Sequence, residues 1–244
     1  MKFPALFLLL ATCLAVSFLG CSEEAAAPVT SPSVVEKDAG QTNFGIPWNA
    51  RIAYGTLTDT RDGQVYKTVQ IGSQVWMAEN LNYRQTTGKI DTIGICYDRE
   101  VDSCAKYGRL YRWTEVMAGA LSSKTVPSGV QGICPQGWHV PSDTEWVLLQ
   151  AAADPSGAMD AIKLKSSNGW KPHFEKSGDG TDDFGFRALP AGAFDDYRGV
   201  EGGNHGHWWT ATVGIERTMA VYDSNVNGAN SPTYSQLSLR CVKD

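Results

Sequence analysis

Apolar and polar positions divide the chain into three regimes. Leu6 to Leu19 form an apolar core; Ser22 to about Pro47 is rich in Ala, Pro, Ser and Thr and has no apolar period; from about Arg51 onward short β-type runs are broken by Gly, Asn and Asp. In the third regime, residues 55–60 and 65–71 flank Arg61-Asp62-Gly63-Gln64, whose Asp-Gly step predicts a hairpin. Val65, Val69 and Ile71 share one strand face, with Lys67 as the interruption. A second turn at Gly72-Ser73 leads into Val75-Trp76-Met77, so a three-stranded meander is expected. Trp113, Val116, Met117 and Ala120 make one stripe of a helix over about 113–121. Ser142-x-x-Glu145 is a capping box that opens a second helix and turns Trp146 and Leu149 inward. Residues 161–165 add a short turn that ends at Asn168-Gly169. Brief strands are expected near 186–189, 208–212, 220–222 and 237–242. The pattern is α+β: short antiparallel sheets with two helices and long irregular loops.

The first regime reads as a lipoprotein signal peptide over residues 1–20. Lys2 supplies the positive start and Phe18-Leu19-Gly20-Cys21 the cleavage box, although Phe18 stands where Leu is commonest. The run falls short of the ~20 apolar residues that a bilayer span needs. The mature chain is therefore expected to begin at an acylated Cys21, carrying palmitate-type chains, with a plain secretory peptide and a free Cys21 thiol as the alternative. Two or more acyl chains, at ~0.8 kcal/mol per CH₂, make such an anchor effectively permanent. Residues 21–50 then form a lipid-anchored tether, which as a flexible coil of ~25 residues spans ~28 Å root-mean-square. The expected location is a bacterial outer membrane, with membrane contact by the lipid anchor only. Ser22-Glu23-Glu24 resembles the acidic mark of surface-exported lipoproteins in some Gram-negative bacteria; an ordinary linker is the alternative.

Formal charge is −5 for the whole chain and −6 without Lys2. Lys and Arg are scattered singly, so a nucleic-acid partner is not expected. Residues 51–244 suffice for one domain with a substantial core. Cys96, Cys104, Cys134 and Cys241 remain after Cys21 and Cys13. An even count in an exported chain reads as two disulfides with three connectivities, of which Cys96 with Cys104 and Cys134 with Cys241 is favoured. In the chain-entropy model these contribute about 2.5 and about 4.7 kcal/mol. A zinc finger is unsupported, because the chain has no Cys-x-x-Cys pair.

Six blocks carry a family resemblance: IGSQVWMAENLNY (71–83), YGRLYRW (107–113), GICPQGWHVPSDTEW (132–146), FGFRALPAG (184–192), WWTAT (208–212) and LRCVKD (239–244). In this order they resemble the Fibrobacter succinogenes major paralogous domain, over nearly all of residues 51–244. That family is similar to a branch of the C-type lectin-like superfold, so the resemblance implies a C-type lectin-like, disulfide-stabilised domain whose N- and C-terminal strands pair. It also implies the Cys134–Cys241 bridge, since lectin-like domains tie a helix to the terminal strand. Two departures stand out. Arg187 replaces a small Ser, and Ala193-Phe194 replaces a Tyr-Arg pair, so a surface site that used that pair does not carry over.

The chain has no Gly-x-Ser-x-Gly elbow, no His-Glu-x-x-His and no phosphate-cradling loop. His139, in the GWHVPS block, reads as structural. His205-x-His207 places two imidazoles on one strand face as metal ligands, but a third ligand is not evident. Asp179, Asp182 and Asp183 offer hard oxygens for Ca²⁺ without EF-hand spacing, and the carbohydrate-coordinating signatures of calcium-dependent lectins are missing. No cofactor beyond this candidate Ca²⁺ is expected. Sugars stack on flat rings beside groups that read hydroxyls. The candidate ligand loop is therefore Asp195-Asp196-Tyr197-Arg198 followed by Glu201-Gly-Gly-Asn204-His205, with His207, and a second loop offers Trp170 and His173. Trp76, Trp113, Trp138, Trp146 and one of Trp208 or Trp209 are assigned to the core.

These readings point to a non-catalytic surface lipoprotein domain that recognises a polysaccharide, surface glycan or another exposed partner in adhesion. A structural cell-envelope protein is the alternative. An enzyme of the lectin-like superfold ranks third, because the formylglycine-generating branch needs a reactive cysteine pair and every mature cysteine here is already assigned.

Overall fold

The computed structural model describes residues 45–88, 90–195 and 199–244. A five-stranded antiparallel sheet runs in the order Gly55–Thr58, Val65–Ile71, Gln74–Met77, Val242–Lys243, Trp138–His139. The first three strands are the expected meander. Gly63 turns the first hairpin at φ +75°, and the Asp59 and Gly63 amides close it on Gln64 and Asp59 carbonyls. The chain's last strand therefore sits between elements about 100 and 165 residues upstream in sequence, where Val242 faces Trp76 on one side and His139 on the other. A second sheet joins His205–Trp209, Ile215–Ala220 and Asn227–Asn230, and a third joins four two-residue strands.

The described residues contain four α-helices, where two helices and a short turn were expected. The capped helix α3 spans Asp143–Ala153, with the Ser142 Oγ accepting the Glu145 amide and the Glu145 carboxylate accepting the Ser142 amide. The short turn is α4, Asp160–Leu164. The expected 113–121 helix is α2, Trp113–Met117, and stops early because Ala118 enters the left-handed region at φ 48°. Helix α1, Val101–Tyr107, escaped the sequence pattern because it buries only Cys104. The Cys96–Cys104 disulfide ties it in place of an apolar stripe. No helix among the described residues is long and apolar enough to cross a membrane.

Two apolar clusters fill the interior. One packs Trp76, Trp146, Phe186 and Trp208, whose rings meet at 5.0–5.9 Å. The other gathers Met77, Leu81, Tyr111, Trp209 and Leu239 around the Cys134–Cys241 disulfide. Successive strand residues point to opposite faces, so Trp208 and Trp209 each enter a different cluster, and both are fully buried. The bridge Cys134–Cys241 spans 107 residues and binds the loop before α3 to the terminal strand region.

Packing begins before residue 51. Ile46 is buried, and Trp48 lies under the Arg187 guanidinium at 4.2 Å while Arg187 Nη2 donates to the Ile46 carbonyl at 3.0 Å. Lys67, the polar interruption of its strand face, is covered by the Trp48 and Tyr54 rings at 5.2 and 5.7 Å. Both anomalous cations thus serve to dock residues 46–54 through cation–π contacts.

Ser142→Ala is expected to lower stability by about 1 kcal/mol through loss of the cap. Glu145→Ala should cost more, since it also strands the Ser128 amide and His139. Urea midpoints measure both. Thiol titration of the native protein should find all four domain cysteines unreactive, and removing the Cys134–Cys241 bridge should cost about 2–5 kcal/mol.

Candidate functional site

The strand His205–Trp209 and the turn before it build the densest cluster of ligating groups. Glu201, His205 and His207 place one donor atom each within 4.8 Å of one another. His205 and His207 are two apart, so their rings share a face, 5.7 Å between centroids and nearly parallel. Glu201 Oε2 lies 2.8 Å from His207 Nε2 and 3.9 Å from His205 Nδ1. On the far side, His207 Nδ1 meets the buried Glu216 carboxylate at 3.1 Å. His205 Nε2 meets the Tyr222 hydroxyl at 2.9 Å, while its Nδ1 is buried with no hydrogen-bond partner.

The turn that carries Glu201 is held from three sides. Glu201 itself sits at φ +61°, and its carbonyl accepts the amides of Asn204 and His205. The Gly202 amide donates to the Tyr97 hydroxyl at 3.1 Å, and Lys171 Nζ donates to the Gly202 carbonyl at 2.9 Å. A Cβ on Gly202 would come within 2.5 Å of that same Tyr97 oxygen, which explains glycine there. Gly203, at φ +84°, completes the reversal.

Charge follows from this arrangement. Burial works against protonation of His207, but hydrogen bonds to Glu201 and Glu216 outweigh it and push the ring up to about 9. Hydrogen bonding to His207 draws Glu201 below the usual carboxylate range. Burial lowers His205, against the attraction of Glu201, so its ring is the neutral one of the pair.

Next to the cluster lies an exposed ledge of rings. Tyr222, 63% exposed, packs edge-on to His205 at 5.4 Å and faces His173 at 5.5 Å. His173 in turn contacts Phe174, which is 87% exposed. Phe174 and Glu175 form a two-residue turn closed by reciprocal His173–Lys176 hydrogen bonds, with φ +45° and +65°. A hairpin of this kind favours Asn-Gly or Asp-Gly. Phe-Glu instead costs about 1 kcal/mol or more per residue.

The remaining candidates separate. Trp170 is buried and not available to a ligand: its Nε1 donates to the Ala188 carbonyl and Lys165 lies over its ring. Asp179, Asp182 and Asp183 are not brought together at metal-ligand distances, and two of the three carboxylates have other partners. Asp179 accepts from the Trp170 amide and Ser177 hydroxyl, and Asp182 is buried with Oδ1 on the Arg187 amide. Burial lifts Asp182 to about 7, against the Arg187 amide and guanidinium. Among the described residues, the group at metal-ligand distances is Glu201, His205 and His207 instead. Asp195 is exposed; Asn204 joins the turn through its backbone. Asp196, Tyr197 and Arg198, like Cys21, lie outside the described residues. His139 bridges Glu145 and Asp244 at 2.8 and 2.7 Å and is structural. Sequence reasoning missed Glu201 as a partner of the histidines, and it missed Glu216, Tyr222 and Phe174. The Glu-Gly-Gly-Asn-His string was its only trace, since the approach of Glu201 depends on the left-handed turn.

The family model of the Fibrobacter succinogenes major domain matches residues 69–243, well over half of the chain. The chain belongs to this family. No curated protein and no solved structure matches it. The matched region of this Fibrobacter succinogenes major domain includes the Glu201–His205–His207 cluster and the Phe174–Tyr222 ledge. It begins after residues 46–54, which Arg187 and Lys67 dock.

His207 ionises near 6.5 when unfolded and near 9 when folded, so its stabilising contribution is complete below about 6.5 and disappears as pH rises through about 9. Urea midpoints in EDTA should therefore fall over that window. His207→Gln should flatten the fall.

Proposed function

We propose that this is a non-catalytic, lipid-anchored surface domain that recognises a glycan through its aromatic ledge. One observation carries the reading: Phe174 is held outward at the tip of a strained two-residue turn, beside His173, Tyr222 and His205. An apolar ring at such a position gains nothing from burial, and strain of this sort clusters at ligand-binding sites. Flat rings flanked by imidazole and hydroxyl groups suit the C–H faces and hydroxyls of a sugar.

The wider reading has its own support. Two disulfides suit an oxidising compartment outside the cytosol, consistent with acylation at Cys21 and an outer-membrane location. Pairing of the last strand with Gln74–Met77 and the Cys134–Cys241 bridge support a C-type lectin-like fold. Formylglycine-type chemistry is disfavoured, since the four domain cysteines are paired.

Full-length protein in detergent should be retained on at least one insoluble polysaccharide or arrayed glycan. Tyr222→Ala should weaken retention a few-fold to about tenfold, from ring contacts of about 0.5–1.5 kcal/mol. Phe174→Asn should weaken it similarly while raising the urea midpoint, because Asn tolerates positive φ. Folded protein that binds no polysaccharide, or binds equally without either ring, rejects the glycan reading. Capture of envelope proteins alone in cross-linking on intact cells favours the structural alternative. Mass spectrometry of the mature protein should find acylated Cys21 at its start.

A further inference from the structure

We infer that Glu201, His205 and His207 form a binding site for a divalent transition-metal ion, of the zinc class, with a fourth position open to solvent. This goes beyond glycan recognition and does not depend on it.

Zinc takes imidazole nitrogen and carboxylate oxygen at about 2.0–2.2 Å, which puts ligand atoms roughly 3.4 Å apart in a tetrahedron. Two edges of the triangle, 2.8 Å for Glu201 to His207 and 3.9 Å for Glu201 to His205, bracket that value. All three donor atoms fall within 4.8 Å of one another, so no edge has to shorten by more than about 1.4 Å to close the site.

His205 Nδ1 is buried and has no hydrogen-bond partner, although its other nitrogen is engaged by Tyr222. A buried polar atom left unpaired costs about 1–3 kcal/mol and calls for an explanation. A metal ion between this nitrogen and Glu201 supplies one.

Metal-bound histidines almost always donate their second ring N–H to a carboxylate, a backbone carbonyl or water, which fixes ring orientation. His207 already meets the Glu216 carboxylate in this way, and at His205 the Tyr222 hydroxyl occupies the corresponding position. The three-point anchoring of the Glu201 turn by Tyr97, Lys171 and its own backbone bonds gives the third ligand a fixed approach. Two imidazoles exclude preference for Ca²⁺ or Mg²⁺, which take oxygen ligands. The Glu201 side chain is 46% exposed, so an ion reaches the site from solvent. On binding, the ion replaces the proton shared between His207 Nε2 and Glu201, and that proton leaves to water.

The test uses full-length, untagged protein stripped with EDTA and titrated with zinc chloride by calorimetry, then with cobalt chloride by visible absorption. One ion per chain with micromolar or tighter affinity, and the intense visible bands of four-coordinate cobalt, are expected. His205→Ala and Glu201→Gln should each weaken zinc binding at least tenfold, whereas Asp62→Asn, an exposed carboxylate of the first hairpin, should not. Glu201→Gln, on the exposed turn, keeps the test decisive if His205→Ala fails to fold. No stoichiometric binding by folded wild-type protein, or wild-type affinity in Glu201→Gln, overturns the assignment. Glycan retention is not measured, so the two proposals fail independently.

Discussion

In a domain built mostly of loops, the governing constraint is that buried backbone amides and carbonyls must find partners without the help of long helices or strands. Here side chains do that work. The Arg240 guanidinium, fully inside the protein, reaches the carbonyls of Met77, Phe186 and Arg187 and the Asn80 side chain. The Glu145 carboxylate collects the Ser128 and Ser142 amides and His139. The tryptophans serve twice: Trp113, Trp170 and Trp209 fill apolar space and donate to the carbonyls of Thr210, Ala188 and Tyr111. Each loop so tied has backbone groups paired as a strand's are.

That constraint explains the departures of the chain from simple patterning. A buried Arg or Glu looks like an error in an apolar core, and is costly unless fully paired. Arg187, also buried, joins the Ile46 carbonyl and the Trp48 ring, although its Nε has no hydrogen-bond partner. The disulfides act alongside. One holds α1, which has no apolar face of its own, and the other closes the fold across most of its length.

The candidate site is a product of the same side-chain-tied loops. Tyr97 and Lys171, far apart in sequence, hold the turn that aims Glu201 at His205 and His207. Tyr222 joins that cluster to the ring ledge through a single hydroxyl, so the ligating groups and the exposed aromatics share one support. Their electrostatics also depend on assembly. His207 is pushed up to about 9 because Glu216, from the next strand, and Glu201, from the preceding turn, flank it.

Local chemistry was legible in the sequence. The Asp-Gly hairpin, the Ser142–Glu145 capping box, the two disulfides and the family each rest on short-range spacing or collinear motifs, which the chain displays before it folds. The pairing of His205 with His207 was legible for the same reason, as strand alternation. Contacts across the fold were not. Whether Trp170 faces sugar or core, whether three nearby aspartates converge, and which carboxylate completes the histidine pair depend on loops whose paths are set by distant partners such as Tyr97, Lys171 and Arg187. Sequence spacing encodes periods of two and 3.6 residues; a left-handed turn such as that at Glu201 follows neither, so only the tertiary structure decided it.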